Sequence, residues 1–414
     1  MKQRIVLFSL LMLWAGFSMA QGTARAQIVH NSGDAAAATV DVWVTGPVGG
    51  SNRLLDDVAF RTATSFLDVT AGVPLQIGIA PGSSTAVTDT IYNKEVQFTP
   101  GETYIVVANG IVSTSGYSPA PAFDLDVFAS ARESAAMAGE VDVLVHHGST
   151  DAPTVDVVEA TVTNFARIVD DASYRDFAGY LNLAPADYEL QVRTGECDNI
   201  VAQFTAPLAG LSLADSAVMV IASGFLAPSA NNGGDAFGLF AVLPSGGAFI
   251  ALPSSPISSA RVQVLHNAAD PNAEVVDVYI NDGLALDDFT FRTSTGFLDL
   301  PASTPFDVTI QPSNSTDTTN GLARFTYTLA GGAKYQLVAN GLLDPAGFSD
   351  FKAFDIYVNG VARECAETAG NTSVNVFHGA TDAPVVDVVE TSVPAGTIVD
   401  SLAYSFFTAG YLDL

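Results

Sequence analysis

Four histidines recur in this chain with an acid at fixed spacing, and that pairing is the first chemistry to weigh. His30, His147, His266 and His378 each close an apolar run. Asp34, Asp151, Asp270 and Asp382 follow four residues later. Each copy then enters a Val-Asp-Val segment, around Asp41, Asp156, Asp277 and Asp387. A His beside an Asp can ligate a metal or act as the base of a nucleophilic triad. Zinc takes three or four N or S ligands, and each copy offers one aligned histidine. A triad needs an activated Ser or Cys beside that histidine. The copies share no Cys, and no Gly-x-Ser-x-Gly elbow recurs. The expected role is structural. The histidine closes the edge of a core and bonds a turn aspartate, and Asp34 and its counterparts start turns through side-chain-to-backbone bonds.

A second acidic pattern is the adjacent pair Asp56-Asp57, Asp170-Asp171 and Asp287-Asp288; the fourth copy keeps only Asp400. These six are weak calcium candidates. Calcium needs six to eight oxygens, typically from a tight Asp-x-Asp-x-Asp-Gly loop, and no such loop is present. A solvated turn is expected instead, with Arg61, Arg175 or Arg292 pairing the acids. No other cofactor is implied. Cys197 and Cys365 occupy non-equivalent places in different copies. They could bridge in an exported protein, but separate folding units would make that join awkward, and the question stays open here. His146 has no counterpart and reads as surface variation.

Composition narrows the classes. The chain has 414 residues, 44 acidic against 16 basic, for a net charge of −28. Phosphate binding needs clustered Lys and Arg, so a nucleic-acid partner is excluded. With 48% hydrophobic and 14% charged residues, the chain is neither a disordered tail nor a coiled coil. Two cysteines cannot build a disulfide-dense scaffold. Lys2, Lys94, Lys334 and Lys352 are the only lysines. An acid-rich, lysine-poor surface keeps a protein soluble by mutual repulsion, and suits either a salty environment or an ordinary acidic secreted protein.

Lys2 and Arg4 precede an apolar stretch from Ile5 to Phe17, then Ser18-Met19-Ala20. That is a secretory signal peptide over residues 1–20, too short to span a bilayer. The expected address is extracellular, cell surface or periplasmic, with no transmembrane span in the mature chain.

The aligned histidines lie 117, 119 and 112 residues apart. Other segments keep the same phase. Phe66-Leu67-Asp68-Val69 matches Tyr180-Leu181-Asn182-Leu183, Phe297-Leu298-Asp299-Leu300 and Tyr411-Leu412-Asp413-Leu414. Val107-Ala108-Asn109-Gly110 matches Val338-Ala339-Asn340-Gly341, with Ile221-Ala222-Ser223-Gly224 between. Such a period is a whole small domain, not a solenoid repeat. The expected organisation is repeat 1 over 24–140, repeat 2 over 141–256, repeat 3 over 257–371 and a partial repeat 4 over 372–414. Because the fourth copy stops early in its unit, the sequence reads as a fragment or a truncated gene.

Elements must position these residues. In repeat 1, runs of strand formers cover 26–30, 40–44, 66–69, 75–80, 96–99, 104–107 and 123–128, divided by turn pairs such as Pro81-Gly82 and Pro100-Gly101. About seven short strands per unit, with period-two alternation, predict an all-β chain of tandem immunoglobulin-like β-sandwich domains, the last copy truncated. Parity sets Val276, Val278 and Ile280 inward, and Asp277 and Tyr279 outward, with Trp43 at the Tyr279 position of repeat 1.

The unit resembles the domain of unknown function 4397. The strand ending in His carries the resemblance, with Asp151-Ala152-Pro153 and Asp382-Ala383-Pro384 after it, then Val-Asp-Val and the later aromatic-Leu-Asp-Leu. Repeat 1 departs from it, with Gly33-Asp34-Ala35-Ala36 and no proline. The resemblance implies a secreted or surface bacterial repeat domain and supplies no catalytic residue. Three functions are carried forward. One is a non-enzymatic spacer or interaction scaffold. A second is a carbohydrate-binding or adhesive module, calcium-dependent or not, using Trp43 and Tyr279. The third is the accessory region of a longer extracellular hydrolase. The partner is then an extracellular protein or polysaccharide.

Overall fold

The computed structural model describes residues 22–47, 49–319, 321–344, 346–348, 350–392 and 396–414. The signal peptide expected over residues 1–20 lies outside the described residues. The described chain is strand joined by turns and four short 3-10 helices.

Repeat 1 contains β1 (Gly22–His30), β2 (Thr39–Thr45), β3 (Ser51–Ala59), β4 (Thr62–Ala63), β5 (Leu67–Ala71), β6 (Pro74–Pro81), β7 (Tyr92–Gln97), β8 (Thr103–Asn109) and β9 (Asp124–Ala129). Two sheets form. One runs β5-β1-β8-β9, with β4 also on β1, and the other runs β3-β2-β6-β7. Their facing side chains, among them Ala26, Val42, Val69, Ile79, Val106 and Leu125, make one core between the sheets. This is the expected sandwich, with one difference. β1 and β8 pair in parallel at its centre, whereas the alternation had suggested antiparallel sheets.

Repeat 2 contains β10 (Val141–His147), β11 (Val155–Glu159), β12 (Ala166–Ala172), β13 (Phe177–Leu183), β14 (Asp187–Thr194), β15 (Ile200–Pro207), β16 (Ala217–Ser223), β17 (Gly238–Val242), β18 (Gly247–Ala248) and β19 (Ile250–Ala251). One sheet runs β12-β11-β14-β15. β10 pairs with β13, and β16 with β17. Repeat 3 contains β20 (Ser259–His266), β21 (Val275–Ile280), β22 (Gly283–Thr290), β23 (Thr293–Pro301), β24 (Phe306–Pro312), β25 (Ala323–Tyr327), β26 (Lys334–Asn340) and β27 (Asp355–Asn359). Its sheets, β23-β20-β26-β27 and β22-β21-β24-β25, enclose a core of their own. The fourth copy contributes two strand pairs. They are β28 (Ser373–Val374) with β31 (Leu412–Asp413), and β29 (Val386–Glu390) with β30 (Gly396–Leu402).

The chain divides into two compact units. One runs to Ala138 and adds Gly148–Asp151 and Asp215–Ile250; the other holds Gly139–His147, Ala152–Ala214 and Ala251–Leu414. The division passes through repeat 2. Within the first unit, β18 extends the sheet of repeat 1 by pairing with β4, and Gln27 Nε2 donates to the Leu243 carbonyl at 2.7 Å.

The sequence reading lacked a strand over residues 51–59. β3 carries Arg53, Asp56 and Asp57, and its face is largely exposed. Its pairing with β2 is certain all the same: Val40 opposes Val58 and Trp43 opposes Arg53, with register shifts between. β12, β22 and β30 repeat the same shifted pairing.

Candidate functional site

The recurring polar residues gather at one end of each sandwich, around the end of its first strand. There, each aligned histidine is buried. His30 is 1% exposed, His147 3%, His266 2% and His378 6%. The ring reaches a backbone carbonyl, not an aspartate. Nε2 lies 2.6 Å from the oxygen of Ala37 in repeat 1, 3.0 Å from Pro153, 2.7 Å from Ala273 and 2.9 Å from Pro384. A carbonyl can only accept, so Nε2 carries the proton in all four. Burial pushes the His30 ring down to about 4 and lowers His147 and His266 as well, against smaller opposing effects of those backbone bonds. These rings are neutral near pH 7.

The expected His–Asp bond is thus corrected: the aspartate has a different task. Asp34 Oδ1 caps the short 3-10 turn through the Ala36 amide at 2.9 Å, and Asp270 caps its own through Asn272 at 2.8 Å. The other oxygen reaches across the fold to the loop after the Asn-Gly motif. Asp34 Oδ2 accepts from the amides of Val112 at 2.7 Å and Ser113 at 2.5 Å. Asp270 Oδ2 accepts from Leu343 at 2.8 Å, and Asp151 from Leu226 and Ala227 at 2.8 Å each. Burial alone would raise the Asp34 and Asp270 carboxyls, but these donors together hold both below the ordinary aspartate range. Asp382 is exposed. The glycine before each pinned loop is required. Gly110, Gly224 and Gly341 have φ of 95°, 86° and 100°. A Cβ there would lie 2.4–2.6 Å from the backbone oxygen of Ala122, Ala236 or Ala353.

The Val-Asp-Val aspartate was placed facing outward; it takes that side of the strand but is covered there in repeats 1 to 3. Asp41 and Asp156 are 0% exposed and Asp277 is 1% exposed, each folded over by the neighbouring edge strand and loop. Each anchors a β-bulge. Asp41 Oδ1 accepts the Asp57 amide at 2.9 Å, Asp156 the Asp171 amide at 2.7 Å, Asp277 the Asp288 amide at 3.0 Å and Asp387 the Ser401 amide at 2.7 Å. Those four donors all have positive φ: 53°, 50°, 50° and 57°. The second residue of each pair is therefore the bulge itself, where Asp is among the few non-glycine residues that sit readily. Tyr279 is also covered, at 4% exposure. Trp43 is half-buried, and its Nε1 donates to Ser84 Oγ at 2.9 Å.

The bulge draws three carboxylates together: Asp41, Asp56 and Asp57; Asp156, Asp170 and Asp171; and Asp277, Asp287 and Asp288. In each triad the nearest oxygens lie within 4.8 Å of one another. The cation among them is not the arginine expected. Arg53 Nη1 lies 3.2 Å from Asp41 and 2.8 Å from Asp56, and Arg167 Nη1 lies 2.8 Å from both Asp156 and Asp170. Repeat 3 has Leu284 at the aligned place. Asp277 there is served by Ser315, whose Oγ donates at 2.6 Å and whose amide lies at 3.2 Å. Arg61 instead covers the Phe60 and Phe240 rings and donates to Ser223 Oγ at 3.0 Å; Arg292 covers Phe291.

Two further features complete the picture, one misread in the sequence and one left open there. His146 is buried at 0% exposure and stacks on Phe177 at 4.2 Å, so it is not surface variation. Cys197 and Cys365 form a disulfide linking repeats 2 and 3 within the second unit. Beside it lies a cluster of opposite charges. Arg261 meets Asp198 and Glu364 at 2.8 Å each and Asp299 at 3.0 Å. Arg193 meets Asp299 at 2.6 Å, and Lys334 meets Glu364 at 3.0 Å. Asp198 and Glu364 adjoin the two cysteines in sequence, which was the one legible hint.

Among the described residues, no helix is long and apolar enough to cross a membrane. No curated protein matches the chain significantly. Among solved structures, the chain is similar to the Bacillus anthracis TIE protein at 8% identity, covering 77% of this chain and 50% of that one, with a TM-score of 0.15. It thus spans about half the length of that structure. It is also similar to a structure titled "Alpha-glucan binding by a streptococcal virulence factor", at 11% identity over 48% of this chain and 93% of that one, TM-score 0.17. A third is the pilus adhesin SpaC from Lactobacillus rhamnosus GG, at 8% identity over 85% and 41%, TM-score 0.17. The sequence profile of one family matches residues 24–158 and again 260–389. Those two stretches take in most of the chain and carry the buried histidine, the loop-pinning aspartate and the bulge anchor in tandem, and so the chain belongs to the family described as Domain of unknown function (DUF4397).

Proposed function

We propose that this is an exported, non-enzymatic protein whose tandem sandwich modules space or present binding loops at the bacterial surface. One observation carries the reading. The side chains that recur from copy to copy end on backbone atoms of their own module: histidines on carbonyls, aspartates on amides. Groups fastened this way have their positions set by the backbone of their own module, which is a structural role. The loops they fasten are held on a rigid scaffold, which suits a module that presents loops. No cofactor enters this reading. The test incubates the mature chain with extracellular proteins and insoluble polysaccharides, alongside a panel of hydrolase substrates. Retention without turnover is expected, and turnover abolished by a single-residue change would overturn the proposal. Retention on a polysaccharide, across salt and calcium, that Trp43→Ala removes would favour the carbohydrate-binding reading. Tyr279 is too covered to contribute to that site. Reading the gene past Leu414 tests the accessory-region reading.

A further inference from the structure

Repeats 1 and 3 share strand order, register and pins, yet their interiors differ. Repeat 3 leaves about 60 Å³ between its sheets, walled by residues such as Val264, Leu286, Leu300 and Leu337. Repeat 1 has about 450 Å³, a space that starts between its sheets and runs out past Gly46, Pro47, Gly49 and Gly50 after β2. Part of the difference is the longer connection after β2 in repeat 1, and part is in the side chains. At aligned wall positions repeat 1 has Val58 for Phe289, Val69 for Leu300, Val106 for Leu337 and Val44 for Ile280. Ala26 also replaces Val262 in the core. Phe98 and Leu54 are larger than Leu329 and Ala285, and the space persists. An empty cavity costs stability in proportion to its volume, and repeat 3 shows that the same fold can be filled.

The cavity opens where the two sheets part. Its polar lining comes from Asn52 and Arg53 on β3 and from Asp68 and Thr70 on β5, at the edges of the two sheets, next to Gly46, Pro47, Gly49 and Gly50. Polar groups therefore stand at the mouth and aliphatic ones line the depth, the arrangement of a site for an amphipathic small molecule. Sheets in a sandwich pack about 10 Å apart, so the space is a slot. Its depth is lined by aliphatic side chains with Phe98 alone offering a phenyl face, which suits an extended hydrocarbon chain. The polar ring in the inner wall, His30, is neutral and leaves Nδ1 without a hydrogen-bond partner.

We infer that the sandwich of repeat 1 binds one unbranched aliphatic chain between its sheets, with the chain's polar end at the β3–β5 mouth. The ligand class is an acyl chain, either free or belonging to a membrane lipid. The test titrates the full mature chain with cis-parinaric acid and follows its fluorescence. Saturable binding of one molecule per chain, displaced by palmitic acid, is expected. Val58→Phe with Val69→Leu, both on the wall of the slot, moves it toward repeat 3 and should weaken binding at least tenfold while the melting temperature holds or rises. If that pair does not fold, Val106→Leu fills less of the slot and should weaken binding by a smaller factor. Cosedimentation with phosphatidylcholine vesicles, lost in the same variants, assigns the chain to a membrane lipid. Binding of the free acid without cosedimentation assigns it to a free one. Absence of saturable binding by either probe, or binding that the filling variants leave unchanged, overturns the inference.

Discussion

His30, His147 and His266 make the fold sensitive to acid in a defined window. Burial holds the His30 ring down to about 4 and lowers the other two, while an unfolded chain takes up the proton near pH 6.5. Between those values the unfolded state binds more protons. Stability that is fully present above pH 6.5 is therefore lost as the pH falls towards 4. For His30 the shift is on the order of 3 kcal/mol. The buried aspartates act in a lower window. Hydrogen bonds hold Asp34, Asp41, Asp270 and Asp277 below the ordinary aspartate value, in each case against burial, and their contribution is lost only as the pH falls below about 4. Denaturant unfolding at pH 7.5, 5.5 and 4.5 should show a decline that His30→Gln flattens. An equal slope in that variant would mean that other groups set the pH dependence.

At the scale of the element, one bulged edge strand explains the acidic pairs. Asp57, Asp171 and Asp288 adopt positive φ because the buried aspartate opposite binds their amides. Arg53 and Arg167 already fill the cation position in repeats 1 and 2, and in repeat 3 Asp277 spends its oxygens on Asp288 and Ser315. Too few oxygens are left for a cage of six. Millimolar calcium should therefore raise the melting temperature no more than sodium chloride of equal ionic strength. A calcium-specific rise of several degrees, abolished by Asp287→Asn with Asp288→Asn, would contradict this. The pairs were legible in the sequence as a repeated mark, but not as a strand. Period-two alternation reports a buried face, and Ser51–Ala59 has a largely exposed one. The outward parity of Asp41 and Asp277 was right along the strand. Their burial depends on a neighbouring strand and on Ser84 and Ser315, 43 and 38 residues away. The loop pins of Asp34 and Asp270 are equally distant in sequence. The Asn-Gly motif marked where they land without saying what landed there.

Across the whole molecule, the repeats are more than separate beads on a string. The Cys197–Cys365 bond joins repeats 2 and 3 across 168 residues, beside the Arg261, Asp299 and Glu364 cluster. Neither the cysteine spacing nor the scattered charges revealed this, because the joining pairs, Cys197–Cys365, Arg193–Asp299 and Asp198–Arg261, each take one partner from repeat 2 and one from repeat 3. Closing so long a loop restricts the unfolded chain, and Cys197→Ser with Cys365→Ser should lower stability by about 2–4 kcal/mol without loss of strand content by circular dichroism. An unchanged unfolding midpoint would show that the charge cluster alone holds the pair. The central claim is that the histidine and aspartate marks of repeats 1 to 3 fasten backbone and perform no chemistry. It is tested most directly by comparing the full chain with its His266→Ala and Asp270→Ala variants, measuring denaturant unfolding and bound metal together. The account predicts that each variant loses about 1–3 kcal/mol, because buried backbone groups lose their partner, and that metal content does not change. Unchanged stability, with stoichiometric zinc or copper present in the parent chain and absent from the variants, would contradict it.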